Sequence, residues 1–386
     1  MRRSMEKHTQ KKPGVIFTMR YPDDTGYVWN YIASVRDRAS AYLQDNAVPY
    51  MAFPKLTGKP SYPLQHLRAV ELDCYDYSPA GREAIARFIC DNNIKVIVFM
   101  SALPQTIGMR LLRRLGVRTV NTEDDGFDPL RRDPLVKRGL KFLVRRVLRL
   151  QQHDLHLANS RSQQAFLLDY ARLPPDRVCL MTNSVDTAHF CPGDRSAART
   201  LTGLDPDRFW IIAVSQARPE KRVDKLIRMM QRLLEARPGT CLGFVYVGDG
   251  PIAAEWKELA AELGVQDAVV FAGRQNDVLP YYRSANLMVH AAHTESFGLA
   301  IVEAMACGLP VVASAASGPC ETIVDDHTGQ LVPIQDMEAF EQAVLCYIDN
   351  VEMTKIHGEN ARAHVVASYN VMRHSKEFAN HIAQFL

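Results

Sequence analysis

The sequence contains no closely spaced cysteine pair and no long hydrophobic run, and both absences narrow the possibilities. None of its eight cysteines forms a C-x-x-C string, so their spacing indicates neither a zinc site nor a disulfide framework. No stretch approaches the roughly 18 apolar residues of a membrane-spanning helix. Residues 1–13 are charged, lack the apolar core of a signal peptide and are expected to be disordered. We therefore expect a protein of the reducing cytoplasm.

The chain also has little net charge, +3, but its two halves differ strongly. Residues 1–190 carry 29 Lys and Arg against 19 Asp and Glu, a net charge of +10. Residues 191–386 carry 17 against 24, a net charge of −7. The basic half predicts an anionic partner. Nucleic acid is not the expected one, because no recognised nucleic-acid-binding motif accompanies the charge.

The stretch 131–150 concentrates this positive charge, since eight Lys and Arg residues are interspersed there with apolar ones. The pattern is typical of an amphipathic helix that lies on an anionic membrane surface. It also fits a helix packed on a core with a solvated basic face. The charge of the whole first half favours the membrane, and with it a peripheral location on the inner face of the cytoplasmic membrane.

Short apolar runs alternate with helix-like stretches in both halves of the 386 residues. This alternation is typical of α/β proteins with a doubly wound parallel sheet and predicts two Rossmann-like domains with a substrate cleft between them. We expect domains over 14–194 and 195–368, followed by a helix over 369–386. The predicted strands are 15–19, 49–53, 94–100, 117–120, 155–158, 178–181, 210–214, 242–247, 269–272, 287–292 and 311–313.

The most informative stretch sets two carboxylates, Glu295 and Glu303, eight residues apart around Gly298. A helix that begins near Phe297 would direct the free N–H groups of Phe297, Gly298 and Leu299 at a ligand and form a seat for phosphate. The glycine would let that ligand approach the main chain. The carboxylates could then accept hydrogen bonds from a sugar near the turn and from a ribose farther along the helix.

This stretch resembles the E-x7-E signature of the retaining GT-B glycosyltransferases, a large family that includes phosphatidylinositol mannosyltransferases, sucrose synthase and glycogen synthase. Four further strings between residues 209 and 333 are similar to motifs of the same family: S-Q-A-R-P-E-K at 215–221, G-D-G-P at 248–251, S-G-P-C-E at 317–321 and D-D-H-T-G at 325–329. The resemblance implies the GT-B fold, in which two Rossmann-like domains face each other across a cleft and the final helix crosses back to the first domain.

The resemblance also implies roles for individual residues. Lys221 matches a lysine that neutralises the donor diphosphate, while Gln216 stands where the family has an arginine and Arg218 is the nearest possible replacement. Glu295 would hold the donor sugar and Glu303 the ribose. The main chain at Arg274 would hold the base, Gly248 would form a turn of the donor site, and Gly26 would lie beneath the phosphates.

Asp124 occupies the position of a family histidine near the reacting sugar. A carboxylate there could orient the acceptor hydroxyl or accept its proton. An aspartate at a strand end could equally cap the next helix. His290 and His293, three residues apart, could suggest a metal site, but packing or solvation is the expected fate of both.

We therefore expect a metal-independent retaining glycosyltransferase without a cofactor. It would use a UDP- or GDP-sugar and a glycan or lipid-linked acceptor in cell-surface polysaccharide or glycolipid biosynthesis, with Lys221, Glu295 and Asp124 as catalytic residues. The alternatives are a nucleotide-sugar epimerase or hydrolase of the same fold and a non-catalytic nucleotide-sugar-binding protein. An NAD-dependent oxidoreductase is not expected, because the G-x-G-x-x-A string at 248–253 follows the second strand of its domain instead of the first.

Overall fold

The computed structural model describes residues 11–24, 27–102, 105–106, 108–123 and 151–386. Within these ranges the chain forms two parallel sheets covered by helices. The α/β, doubly wound architecture expected from the alternating pattern is therefore confirmed. The candidate residues Gly26 and Asp124 and the basic stretch 131–150 lie outside the described residues.

The first sheet has seven strands in the order β3-β2-β1-β4-β6-β8-β9, with every neighbouring pair parallel. Its central strands are buried along almost their whole length, which is why they read as continuous apolar runs. A separate antiparallel pair is formed by β5 and β7. The strands are β1 (Gly14–Thr18), β2 (Val48–Phe53), β3 (Arg68–Glu71), β4 (Ile94–Met100), β5 (Gln105–Thr106), β6 (Arg118–Glu123), β7 (Gln151–Gln152), β8 (Leu155–Ala158) and β9 (Val178–Leu180).

The second sheet has six parallel strands in the order β12-β11-β10-β13-β14-β15. The direction of winding reverses between β10 and β13, just as it reverses between β1 and β4 in the first sheet. In open α/β sheets such a switch point leaves a crevice at the carboxyl ends of the strands, where ligands bind. The strands are β10 (Phe209–Val214), β11 (Leu242–Val247), β12 (Val269–Gly273), β13 (Leu287–His290), β14 (Val311–Ser314) and β15 (Gly329–Val332).

The helices cover the faces of both sheets. Val223–Ala236 is typical, because Val223, Leu226, Ile227, Met230 and Leu233 recur at helical spacing and are all buried. The α-helices are Tyr27–Ala41, Pro79–Asp91, Met109–Arg114, Arg161–Ala165, Arg195–Thr202, Val223–Ala236, Ala253–Glu262, Leu279–Ser284, Leu299–Ala306, Ser317–Thr322, Met337–Asp349, Val351–Ser368 and Val371–Ala383. Short 3-10 turns span Pro175–Arg177 and Pro219–Lys221, and a π-helical turn spans Phe166–Tyr170.

The chain passes between the two sheets at two adjacent places. The N–H of Val185 donates to the carbonyl of Tyr369 at 2.8 Å, and the N–H of Val371 donates back to the carbonyl of Val185 at 3.0 Å. The helix Val371–Ala383 packs against Tyr27–Ala41 and buries its apolar face in the core of the first sheet. The expected division at 194/195 falls between β9, which ends the first sheet, and β10.

Several strand predictions need correction. β6 extends to Glu123 instead of ending at residue 120, and the short pair β5 and β7 was not expected. The edge strands β3 and β15 were not expected, because their sequences R-A-V-E and G-Q-L-V form no clear apolar run. β13 ends at His290, two residues earlier than predicted, because its pairing with β14 stops there. The N–H of His293 then donates to the carbonyl of Glu220 at 3.3 Å, so the chain leaves the sheet toward the turn Pro219–Lys221.

Candidate functional site

The switch point of the second sheet brings together a cation and a carboxylate that lie 74 residues apart in the sequence. Lys221 ends the 3-10 turn that follows β10, and Glu295 lies in the loop that follows β13. The Nζ of Lys221 donates a hydrogen bond to Oε2 of Glu295 at 2.7 Å. Lys221 and Glu295, which the family resemblance assigned to the same site, are thus in direct contact.

The Glu295 carboxylate is shielded from water, with 15% of its side chain exposed, and a second nitrogen approaches it. Nε2 of His290, the last residue of β13, lies 3.4 Å from Glu295 Oε2. Burial alone would raise the pKa of Glu295, but the neighbouring His290 and the charge of Lys221 outweigh that effect. They hold the pKa of this carboxyl well below its usual range, so Glu295 is ionised and can only accept hydrogen bonds.

The helix expected to begin near Phe297 begins at Leu299 instead. The reason is Gly298, which adopts a left-handed φ of +89° that favours glycine and breaks the helical geometry before it. The N–H groups of Ile301 and Val302 both donate to the Gly298 carbonyl, whereas no carbonyl of the described residues accepts the N–H of Leu299 or Ala300. These two amides form the open end of the helix, where an anion is favoured.

The side chain of Phe297 is turned away from this opening. It is 1% exposed, and its ring meets the ring of Tyr369 edge to face with 5.5 Å between centroids. Phe297 therefore anchors the turn in the core and offers only its main chain to the site.

A glycine of the next helix supports the same turn. The N–H of Gly318 donates to the carbonyl of Glu295 at 2.8 Å. A Cβ on Gly318 would lie 2.6 Å from the backbone nitrogen of Phe297, which is too close for any side chain. The S-G-P-C-E string thus has a structural reason, since its glycine lets the helix Ser317–Thr322 touch the turn that holds Glu295.

Glu303, the carboxylate expected to bind the ribose, is buried and not open to solvent. It lies on Leu299–Ala306, is 6% exposed, and its Oε2 accepts a 2.9 Å hydrogen bond from the hydroxyl of Tyr282. Tyr282 belongs to Leu279–Ser284 and is fully buried. The sequence analysis did not single out Tyr282, because no local signal connects it with a glutamate 21 residues away.

The two candidates for the missing arginine do not join Lys221. Gln216 and Arg218 are both exposed, and Nη1 of Arg218 lies 4.0 Å from Oε1 of Glu220. Arg274 also has an exposed side chain, at the end of β12. Among these candidate residues, Lys221 is therefore the one whose cationic side chain lies against the turn 295–298, which we call the donor turn.

Gly248 lies where the loops after β10 and β11 meet. Its φ of +147° favours glycine, and a Cβ there would lie 1.8 Å from the carbonyl oxygen of Ser215. Its N–H donates to the carbonyl of Gly273 at 2.9 Å. The G-D-G-P turn thus brings three loops together at one edge of the sheet.

The first sheet contributes a small cavity that no motif indicated. The cavity has room of about 40 Å³ for water and is lined in part by Arg36, Glu123, Asn159 and Thr182. Asn159 directly follows β8, is 4% exposed, and neither polar atom of its amide finds a hydrogen-bond partner among the described residues. A buried amide beside such a cavity suits an ordered water or a ligand hydroxyl.

Glu321 connects this part of the first domain to the donor turn. Its Oε2 accepts the N–H of Arg161 at 2.7 Å, and its Oε1 accepts the N–H of Ser162 at 3.1 Å. Because Glu321 and Gly318 belong to the same short helix, that helix touches both the turn at Glu295 and the chain two residues after Asn159.

Nowhere in the described ranges do three His, Cys, Asp or Glu side chains gather as a metal site. His290 is buried and His293 exposed, so the two histidines do not act as a pair. Among the helices that the structure describes, none combines the length and apolar character needed to cross a membrane.

Known proteins resemble the sequence of this chain over part of its length. Residues 194–364 match the family described as Glycosyl transferases group 1. A D-inositol 3-phosphate glycosyltransferase 2 from Catenulispora acidiphila is 33% identical over 220 residues, which are 55% of this chain and 52% of that protein. A D-inositol 3-phosphate glycosyltransferase from Segniliparus rotundus is 30% identical over 275 residues, 67% of this chain and 59% of that protein. The chain thus spans little more than half the length of these relatives.

Solved structures resemble nearly the whole chain. A glycosyltransferase from Rickettsia africae has a TM-score of 0.77 at 18% identity and covers 97% of this chain and 100% of its own. Anabaena HepE in complex with UDP has a TM-score of 0.75 at 19% identity and covers 96% and 100%. At these identities the likeness concerns the fold. The chain therefore has the GT-B fold, and its residues 194–364 belong to the family of glycosyl transferases group 1.

Proposed function

We propose that this chain is a retaining glycosyltransferase that moves a sugar from a UDP- or GDP-sugar to an acceptor hydroxyl. The observation that carries the proposal is the pairing of Lys221 with Glu295 at the switch point, beside the open end of Leu299–Ala306. An ammonium and helix amides suit a diphosphate, and a buried, ionised carboxylate suits sugar hydroxyls. The family of residues 194–364 and the solved complex of HepE with UDP-glucose support the same assignment.

The geometry suits the charges that such a transfer develops. As the bond between sugar and diphosphate breaks, negative charge grows on the departing diphosphate and positive charge grows on the sugar ring. Lys221 and the amides of Leu299 and Ala300 would stabilise the first, and ionised Glu295 would hold the sugar hydroxyls beside the second. Glu303, held by Tyr282, would bind the ribose. No step in this scheme requires a metal.

For the acceptor we propose a glycan or a lipid-linked molecule in cell-surface polysaccharide or glycolipid biosynthesis. The net charge of +10 in residues 1–190 supports an anionic acceptor or an anionic membrane surface, with 131–150 as the membrane-facing segment. The two relatives named above act, by their names, on D-inositol 3-phosphate, which is also anionic. Asp124 and Gly26 remain the proposed acceptor-side and phosphate-side residues of the first domain.

Calorimetric titration with UDP and GDP tests the proposal. We expect one of the two nucleotides to bind at a single site and Lys221→Ala to weaken that binding at least tenfold. If neither nucleotide bound the folded wild-type protein, the proposal would be wrong. Loss of UDP-glucose or GDP-mannose without an acceptor, at a rate that membrane lipids and glycans do not increase, would instead identify a hydrolase or an epimerase.

A further inference from the structure

The ammonium proposed to bind the donor diphosphate is already engaged in this structure. Lys221 donates to Glu295 at 2.7 Å, while Gln216 and Arg218 are exposed at the surface and supply no second cation against the donor turn. A diphosphate that binds at the open end of Leu299–Ala306 would draw the Lys221 ammonium toward itself. The partner that Lys221 leaves behind is Glu295.

Glu295 cannot easily lose that partner. Its side chain is 15% exposed, and an ionised carboxylate shielded from water is strongly destabilised when its counter-charge is removed. Without a replacement, the carboxylate would take up a proton or turn toward solvent, and either change would spoil its alignment with the sugar hydroxyls.

A replacement lies within reach. Nε2 of His290 is 3.4 Å from the same Oε2 atom that Lys221 holds, and the His290 side chain is 6% exposed. This nitrogen is buried, and apart from its 3.4 Å approach to Glu295 it has no hydrogen-bond partner in the described part of the chain. Buried polar atoms are seldom left in that state, and those that are need a functional or structural reason.

The position of His290 in the fold fits this role. Leu287, Met288 and Val289, the three preceding residues of β13, are fully buried and apolar, and His290 is the residue at which the strand ends against the site. A small rotation of the ring would convert the 3.4 Å approach into a charge-assisted hydrogen bond to the carboxylate.

We propose that His290 is a positioning residue that takes over the Glu295 carboxylate when the donor diphosphate engages Lys221, and so keeps Glu295 aligned on the donor sugar. The inference rests on the proposed function, because it concerns the same donor site. It assigns to His290 an effect on the sugar part of the donor and not on the nucleotide part.

The test compares a nucleotide with its nucleotide sugar in four proteins. Wild type, His290→Leu, His290→Gln and His293→Gln are titrated by calorimetry with UDP and UDP-glucose and with GDP and GDP-mannose, and thermal unfolding is recorded for each. His293→Gln is the matched control, because its side chain lies on the same loop but is exposed. His290→Gln retains an N–H donor at a similar reach.

We expect His290→Leu to bind the free nucleotide within about twofold of wild type but to bind the nucleotide sugar about tenfold more weakly, the scale of one hydrogen bond to a charged group. His290→Gln should recover most of the loss, and His293→Gln should resemble wild type. Equal weakening of nucleotide and nucleotide sugar, or no weakening of either, would show that His290 only packs. If wild type itself bound none of the four ligands, the proposed function would fail first and this inference with it.

Discussion

Lys221 and Glu295 form a 2.7 Å ion pair although they are 74 residues apart in sequence, because they follow β10 and β13, which are neighbouring strands of the second sheet. The pair lies on the crevice that the strand order of the second sheet creates. Each partner therefore owes its position to the fold, and Lys221 together with His290 lowers the pKa of Glu295.

Replacing Lys221 should remove most of the activity in a protein that still folds, although its stability should fall because Glu295 loses its counter-charge. We expect Lys221→Ala to lower turnover by a factor of about 10² to 10³, the usual loss for one group that stabilises a transition-state charge. Transfer rate and far-ultraviolet circular dichroism measure the two effects. Lys225→Ala is the control, because Lys225 is partly exposed and its Nζ lies 4.0 Å from Asp224. Near-normal turnover in Lys221→Ala would contradict the assignment.

The ion pair should also make stability depend on pH in a defined direction. Because the folded-state pKa of Glu295 lies below its ordinary value of 4.5, the pair contributes its full stability above pH 4.5 and loses it as the pH falls toward the folded-state pKa. We expect the difference in unfolding free energy between wild type and Glu295→Gln to be constant from pH 6 to 8 and to change in favour of the variant below about pH 4.5. Urea unfolding at several pH values measures it. A difference independent of pH would show that Glu295 is not held ionised.

Adding one methyl group at Gly318 should distort the donor turn. The new Cβ would meet the backbone of Phe297 at 2.6 Å, so either the turn or the helix Ser317–Thr322 must move. We expect Gly318→Ala to lower the free energy of unfolding by about 1–3 kcal/mol and to weaken nucleotide binding. Ser317→Ala, in the same helix, should change neither quantity. Equal nucleotide affinity in both variants would mean that the contact does not matter for the site.

The hydroxyl of Tyr282 should matter for recognition of the ribose. Tyr282→Phe removes the buried hydrogen bond to Glu303 and should destabilise the fold by about 1–3 kcal/mol. If Glu303 binds the ribose, wild type should prefer UDP or GDP to its 2′-deoxy form, and Tyr282→Phe should reduce that preference. Tyr281→Phe, one residue earlier, serves as the control. An unchanged ratio of affinities for ribo- and deoxyribonucleotide would separate Glu303 from the ribose.

The reaction should proceed without a divalent metal, because Lys221 and the helix amides supply the positive charge that Mg²⁺ or Mn²⁺ supplies elsewhere. We expect the same rate of sugar transfer in excess EDTA as in its absence. An absolute requirement for either ion would refute this expectation.

The sequence predicted the buried parts of the fold better than its edges. Parallel strands covered on both faces, such as β1 and β4, must be apolar throughout and are visible as runs. The edge strands β3 and β15 are held by one neighbour and partly exposed, so their sequences carry no comparable pattern. The start of Leu299–Ala306 was misplaced because the left-handed φ of Gly298 cannot be read from its identity alone.

For the site, resemblance identified Lys221 and Glu295, but only the fold shows that they touch. The direction of Arg218 depends on the path of the loop after β10, which no spacing rule determines. The sequence assigned His290 to packing or solvation and did not single out Asn159, because the burial and the partners of a histidine or an asparagine depend on distant parts of the chain.

The carboxylate of Glu321 completes the first turn of a helix that belongs to the other domain, through the N–H groups of Arg161 and Ser162. Widening of the cleft would deprive those two amides of their acceptor and leave water as the substitute. The first turn of this helix is therefore fully hydrogen-bonded only while the two domains are in contact. The rate of amide hydrogen exchange at residues 161 and 162 would report domain closure directly.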